Sequence, residues 1–95
     1  MATVVLTLKI MPESPDVDLD PIGIKVDKLV RQFAKLNADE EIKIEQEPIA
    51  FGLKALKIMF AMDESIGSTD ALEEEIKSIH GVNSVDVVDV RRAIG

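Results

Sequence analysis

Hydrophobic residues along this chain follow two different periods, and the order in which those periods alternate limits the architecture more than any single motif. In TVVLTLKIMP, residues Val4, Leu6, Leu8 and Ile10 fall on one side of an extended chain, and Val5, Thr7 and Lys9 fall on the other. This is the two-residue period of a strand, and Pro12 closes it. From Leu19 the spacing changes: Leu19, Ile22, Val26, Leu29, Val30, Phe33 and Leu36 recur at intervals of three and four, the stripe of an amphipathic helix. Asp18 or Asp20 can cap its amino end, and Pro21 is tolerated in a first turn, where its missing N–H would have no partner anyway. The helix is expected to end near Asn37.

The strand period returns in EIKIEQEPIA, where Ile42 and Ile44 alternate with Glu41, Lys43 and Glu45 until Pro48. Proline cannot donate to a sheet ladder, so this strand is expected at an edge. After Gly52, one face carries Leu56, Ile58, Phe60 and Met62 and the other Leu53, Ala55, Lys57, Met59 and Ala61. Its more apolar character suits a central strand. A turn at Gly67 and capping candidates Ser68, Thr69 and Asp70 then precede Leu72, Ile76 and Ile79 at helical spacing, with Gly81 placed to stop the helix. In the β-branched run VNSVDVVDVRR the apolar parity switches between Val85/Val87 and Val88/Val90, which predicts a bulge or a strand leaving the sheet at an irregular end.

Strand, helix, strand, strand, helix, strand is the order of the ferredoxin-like α+β sandwich, a βαββαβ unit with a four-stranded antiparallel sheet and both helices on one face. Right-handed crossovers give the strand order 4-1-3-2. The hairpin between the second and third strands then lies at one end of the sheet and the carboxyl terminus at the other. With about 9 residues per strand at roughly 3.3 Å each, the two ends are about 30 Å apart.

A length of 95 residues suits one domain with one core. Hydrophobic residues at 46% and charged residues at 31% fit a folded chain without a disordered tail. The net charge of −7 argues against a nucleic-acid surface, which needs clustered Lys and Arg, and favours a basic or neutral protein partner. With no cysteine, disulfides, thiolate nucleophiles and Cys-ligated metals are excluded. The apolar run from Thr3 to Met11 is too short to span a bilayer and carries no basic leader or cleavage site. The expectation is a soluble cytoplasmic protein with no membrane association and no cofactor.

Functions hosted by this fold must be argued from sites. An RNA-recognition surface would need adjacent aromatics with basic residues on the sheet, and a metal carrier would need a Cys pair. Neither is present. The turn MPESPDVD after the first strand is acidic and would repel phosphate. His80, the only histidine, has a helix-dipole reason to sit near the end of the second helix. Glu73, Glu74 and Glu75 are consecutive on a helix, point in different directions, and suit a solvated face better than a metal site. No nucleophilic triad, Gly-rich phosphate loop or paired catalytic acid is visible, so the chain reads as a binding module and not as an enzyme.

Two features remain outside this scheme. Phe33 and Phe60 fall on core faces, but Phe51 lies between Ala50 and Gly52 at the hairpin, where it either folds under the loop or is offered to a partner as an anchor. Arg91 and Arg92 place two cations at the end of an acidic chain, either as solvated edge charge or as a cation for an anionic site on a partner.

At these segments the sequence resembles the elongation factor 1-beta family, most closely its short archaeal form. PIAFGLKALKI is similar to the family's hairpin signature, STDALEEEI to its second helix, and VNSVDVVDVRRAIG to its last strand. The resemblance implies a single guanine-nucleotide exchange domain over residues 1–95, without the amino-terminal extension of eukaryotic members, acting in translation and protein biosynthesis. It implies that the chain promotes exchange of GDP for GTP on the elongation factor 1-alpha GTPase; the chain itself is expected to be a monomer when free and, from its charge, to make no direct nucleic-acid contact. Phe51 would dock on the second domain of that GTPase, with Pro48, Gly52 and Lys54 as further partner-binding residues of the hairpin. Arg91 and Arg92 would lie near its magnesium and phosphate region, with Arg92 matching a lysine that is next to last in eukaryotic members. The rival expectation is a regulatory or self-assembling ligand-binding module of the same fold.

Overall fold

The computed structural model describes residues 2–37 and 39–93. Seven elements follow in order: β1 (Thr3–Pro12), α1 (Leu19–Phe33), β2 (Lys43–Pro48), β3 (Lys54–Asp63), a 3-10 turn (Glu64–Ile66), α2 (Asp70–Lys77) and β4 (Val82–Ala93). The strands form one sheet in the order β2-β3-β1-β4, and every neighbouring pair is antiparallel. This is the ferredoxin-like arrangement expected from the sequence, with β2 at an edge and β3 inside.

The core lies between the sheet and the helices. Leu6, Leu8 and Ile10 of β1 and Leu56, Ile58, Phe60 and Met62 of β3 are buried against Leu19, Ile22, Val26 and Val30 of α1 and Leu72 and Ile76 of α2. Phe33 is only half-buried against this cluster. On the opposite face, Met59 and Val88 remain 41% and 49% exposed, and none of the described elements covers them.

Asp18, not Asp20, caps α1: its Oδ1 accepts from the Asp20 amide at 3.0 Å. The carboxyl end differs from expectation. The helix stops at Phe33, because Lys35 turns into the left-handed region at φ 55. The Leu36 amide then donates back to the Arg31 carbonyl at 2.9 Å, the bonding pattern of a Schellman cap. Leu36 still packs on the core from outside the helix. In α2, Thr69 stands at the N-cap position, and Ser78 rather than Gly81 terminates the helix, its Oγ donating to the Glu75 carbonyl at 2.7 Å. Gly81, at φ 96, instead forms the turn into β4.

The parity switch in β4 is a bulge in the middle of the strand, and a second register shift, where Met11 pairs with Ser84 and Pro12 with Val82, makes the strand's amino end irregular as well. Leu8 pairs with Val87 and Thr7 with Asp89, which leaves Val88 without an opposite number. Continued regular pairing would place Asp89 beside buried Leu6. The extra residue keeps Asp89 on the open face and sets Val90 opposite Leu6.

Candidate functional site

The hairpin between β2 and β3 is closed by the Leu53 amide, which donates to the Ala50 carbonyl at 2.8 Å. Both residues between them have positive φ, 52° for Phe51 and 80° for Gly52, the combination that a type I′ turn requires. Gly52 suits it, and a Cβ there would lie 3.7 Å from the Pro15 side chain. Phe51 does not: glycine or asparagine is favoured at such a position, and a bulky residue there costs on the order of 1–2 kcal/mol.

Packing returns nothing for that cost, because Phe51 is 96% exposed. Around it stand exposed Pro48 and Lys54, paired at the ends of their strands, and Ile49, which is 40% exposed. Just behind, Lys57 Nζ and Glu47 form an ion pair at 3.0 Å. The turn thus holds a small apolar tip with a charged rim, a shape suited to insertion into a partner's pocket.

The second candidate region lies at the other end of the sheet. Arg91 is opposite Val5 and Arg92 opposite Val4, so the two guanidinium groups leave opposite faces. Arg91 Nε donates to Asp89 Oδ2 at 3.0 Å on the open face. Arg92 Nη2 donates to Glu64 Oε2 at 2.8 Å on the helix face. Both are largely exposed, at 79% and 67% of their side chains, and either could pair with a phosphate or carboxylate. Ile94 and Gly95 lie outside the described residues.

The separation of the ends follows from register. Met62 is opposite Val4, which in turn is opposite Arg92. Lys54 to Met62 is eight steps along β3, about 27 Å of strand rise. The longest dimension of the molecule is 42 Å. Hairpin and Arg pair therefore cannot serve one small-molecule site together.

Other sequence candidates acquire plain structural roles. His80 is exposed in the turn beyond α2, three residues after the last helical residue. Glu73 accepts from Thr69 Oγ1 at 2.7 Å, and among the described residues no group of His, Cys, Asp or Glu is arranged to hold a metal. No helix among them is long and apolar enough to cross a membrane. Two residues escaped the sequence reading. Ile24, 62% exposed, lines an open groove between α1 and β2 with Gly23, Ile44 and Leu56; its position off the helical stripe was the available signal. Glu64 carried no signal, since its importance lies in a contact 28 residues away.

Fold and surface together define a class: a ferredoxin-like α+β protein whose exposed anchor and exposed cations stand at opposite ends of the sheet. The chain belongs to the EF-1 guanine nucleotide exchange domain family, which it matches over residues 5–93. Its relatives include the elongation factor 1-beta of Methanothermobacter thermautotrophicus, 44% identical over 92 residues that make up 97% of this chain and 98% of the relative. The elongation factor 1-beta of Methanobrevibacter smithii is 45% identical with the same coverage. That of Sulfurisphaera tokodaii is 41% identical over 93 residues, 97% of each chain. The role that goes with this membership is guanine-nucleotide exchange in translation elongation.

Proposed function

We propose that this protein acts in the cytoplasm on the elongation factor 1-alpha GTPase, accelerating GDP release by binding and without covalent chemistry of its own. Residues 1–95 serve as a single exchange domain that is a monomer when free. The observation that carries the reading is Phe51, an aromatic held at positive φ and 96% exposed, a costly arrangement that neither turn preference nor core packing explains.

Phe51 anchors the complex on one domain of the GTPase. Pro48, Gly52 and Lys54 fix the hairpin and its rim, and Lys54 supplies positive charge at the contact. About 27 Å away by strand rise, the Arg end reaches the nucleotide domain, where Arg92 competes for the anionic groups that hold magnesium and the GDP phosphates. Arg91 supports it from the open face. Because a ligand shifts an equilibrium only by its differential affinity, the protein must bind the nucleotide-free GTPase more tightly than the GDP-bound one. Binding energy from the hairpin then offsets the cost of loosening the nucleotide.

Variants separate the two ends. Phe51→Ala should weaken binding about 30-fold, the effect of losing a strong interface anchor, and leave the rate from the saturated complex nearly intact. Arg92→Ala should lower the saturated rate with little change in affinity. If Arg91→Ala lowers that rate and Arg92→Ala does not, the inserting residue is Arg91.

A further inference from the structure

Arg92 is not held pointing away from the end of the sheet. Its strand, β4, is separated by β1 from β3, after which Glu64 begins the 3-10 turn. Two strand spacings amount to roughly 10 Å, so the Arg92 side chain must lie across the end of β1 to reach Glu64 Oε2 at 2.8 Å. The shallow hollow there is lined by Ala2, Asp63, Glu64, Ser65 and Arg92.

The backbone of Glu64 is held by two hydrogen bonds. Its amide donates to the Ala2 carbonyl at 2.9 Å, and its carbonyl accepts from the Gly67 amide at 3.1 Å. The adjacent carboxylate is committed elsewhere: Asp63 Oδ1 accepts from the Ser65 amide at 2.9 Å, a bond that holds its pKa below the ordinary value. Among the described residues Arg91 makes no such long-range tie; its partner Asp89 is two residues away on its own strand.

We propose that Glu64 is a positioning residue that keeps Arg92 retracted in the free protein, and that exchange begins when an anionic group of the partner's nucleotide site replaces Glu64. This rests on the assignment of Arg92 to the nucleotide end. Exposed ion pairs are weak enough to be traded for a better anion, whereas a buried pair would resist separation. The guanidinium is thereby tied across the end of β1, still 67% exposed, until a stronger acceptor is within reach.

The test is a double-mutant cycle on release of labelled GDP from the cognate GTPase, with wild-type protein, Glu64→Gln, Arg92→Ala and the double variant. At low salt, Glu64→Gln should raise the saturated release rate about two- to fivefold, the factor that an exposed ion pair is worth, with half-saturation little changed. The gain should vanish in the Arg92→Ala background and shrink as salt screens the wild-type pair. A general loosening of the fold would produce neither dependence. If Glu64→Gln is neutral or slower while Arg92→Ala slows release, retraction is overturned and the role of Arg92 stands. A gain that persists in the Arg92→Ala background also overturns retraction. If Arg92→Ala leaves release unchanged, the assignment of Arg92 fails, and the role of Glu64 fails with it.

Discussion

Phe51 sits where a β-hairpin would ordinarily place glycine or asparagine, and its ring is 96% exposed. Stability and binding should therefore respond to it in opposite directions. Phe51→Gly removes a bulky side chain from the left-handed region and should leave folding stability unchanged or raise it by up to about 1 kcal/mol, while affinity for the GTPase falls. Chemical denaturation beside a binding titration checks both; a clear loss of stability would mean that the ring packs in solution. Phe60 is the contrasting case, 2% exposed in the core. Phe60→Ala should cost about 3–5 kcal/mol and reduce exchange only through loss of folded protein. The sequence separated these two phenylalanines by periodicity alone, since Phe60 fits the strand period and Phe51 fits none. Exposure of Phe51 was not legible, because an apolar side chain in a loop can equally well fold under it.

At the scale of elements, the irregularities decide what the regular parts present. The Val88 bulge places Arg92 on the helix face and Arg91 on the open face, so a single extra residue determines which arginine can meet Glu64. Parity in the sequence indicated an irregularity there, but its exact place depended on β1, whose buried Leu6 cannot accept Asp89 as a neighbour. The early end of α1 was less legible. The apolar stripe continues through Leu36 because that residue packs on the core, although the backbone has already left the helix at Lys35. The turn into β4 carries a sharper requirement. A Cβ on Gly81 would stand 3.0 Å from the Val17 side chain, at φ +96. Gly81→Ala should therefore destabilise the fold by about 1–3 kcal/mol, measured by thermal or denaturant unfolding; Gly67, also at positive φ (+85), has nothing within 4 Å, so Gly67→Ala should show the backbone strain without the added clash.

At the scale of the whole molecule, the sheet is a spacer. Four antiparallel strands fix the hairpin and the Arg pair at opposite ends, so one contact supplies affinity and the other acts on the nucleotide. The net charge of −7 adds a long-range component. Association with a basic partner surface should slow as ionic strength rises, with a smaller effect on dissociation, as stopped-flow mixing at two salt concentrations would show. Strand order and polarity were readable from the order of periods in the sequence; the tie between Arg92 and Glu64 arises only when β3 and β4 are brought to the two sides of β1. The most direct measurement is release of labelled GDP from the cognate elongation factor 1-alpha, with and without this protein. Release should accelerate with protein concentration and saturate. No acceleration by a folded sample that binds the GTPase would contradict the account.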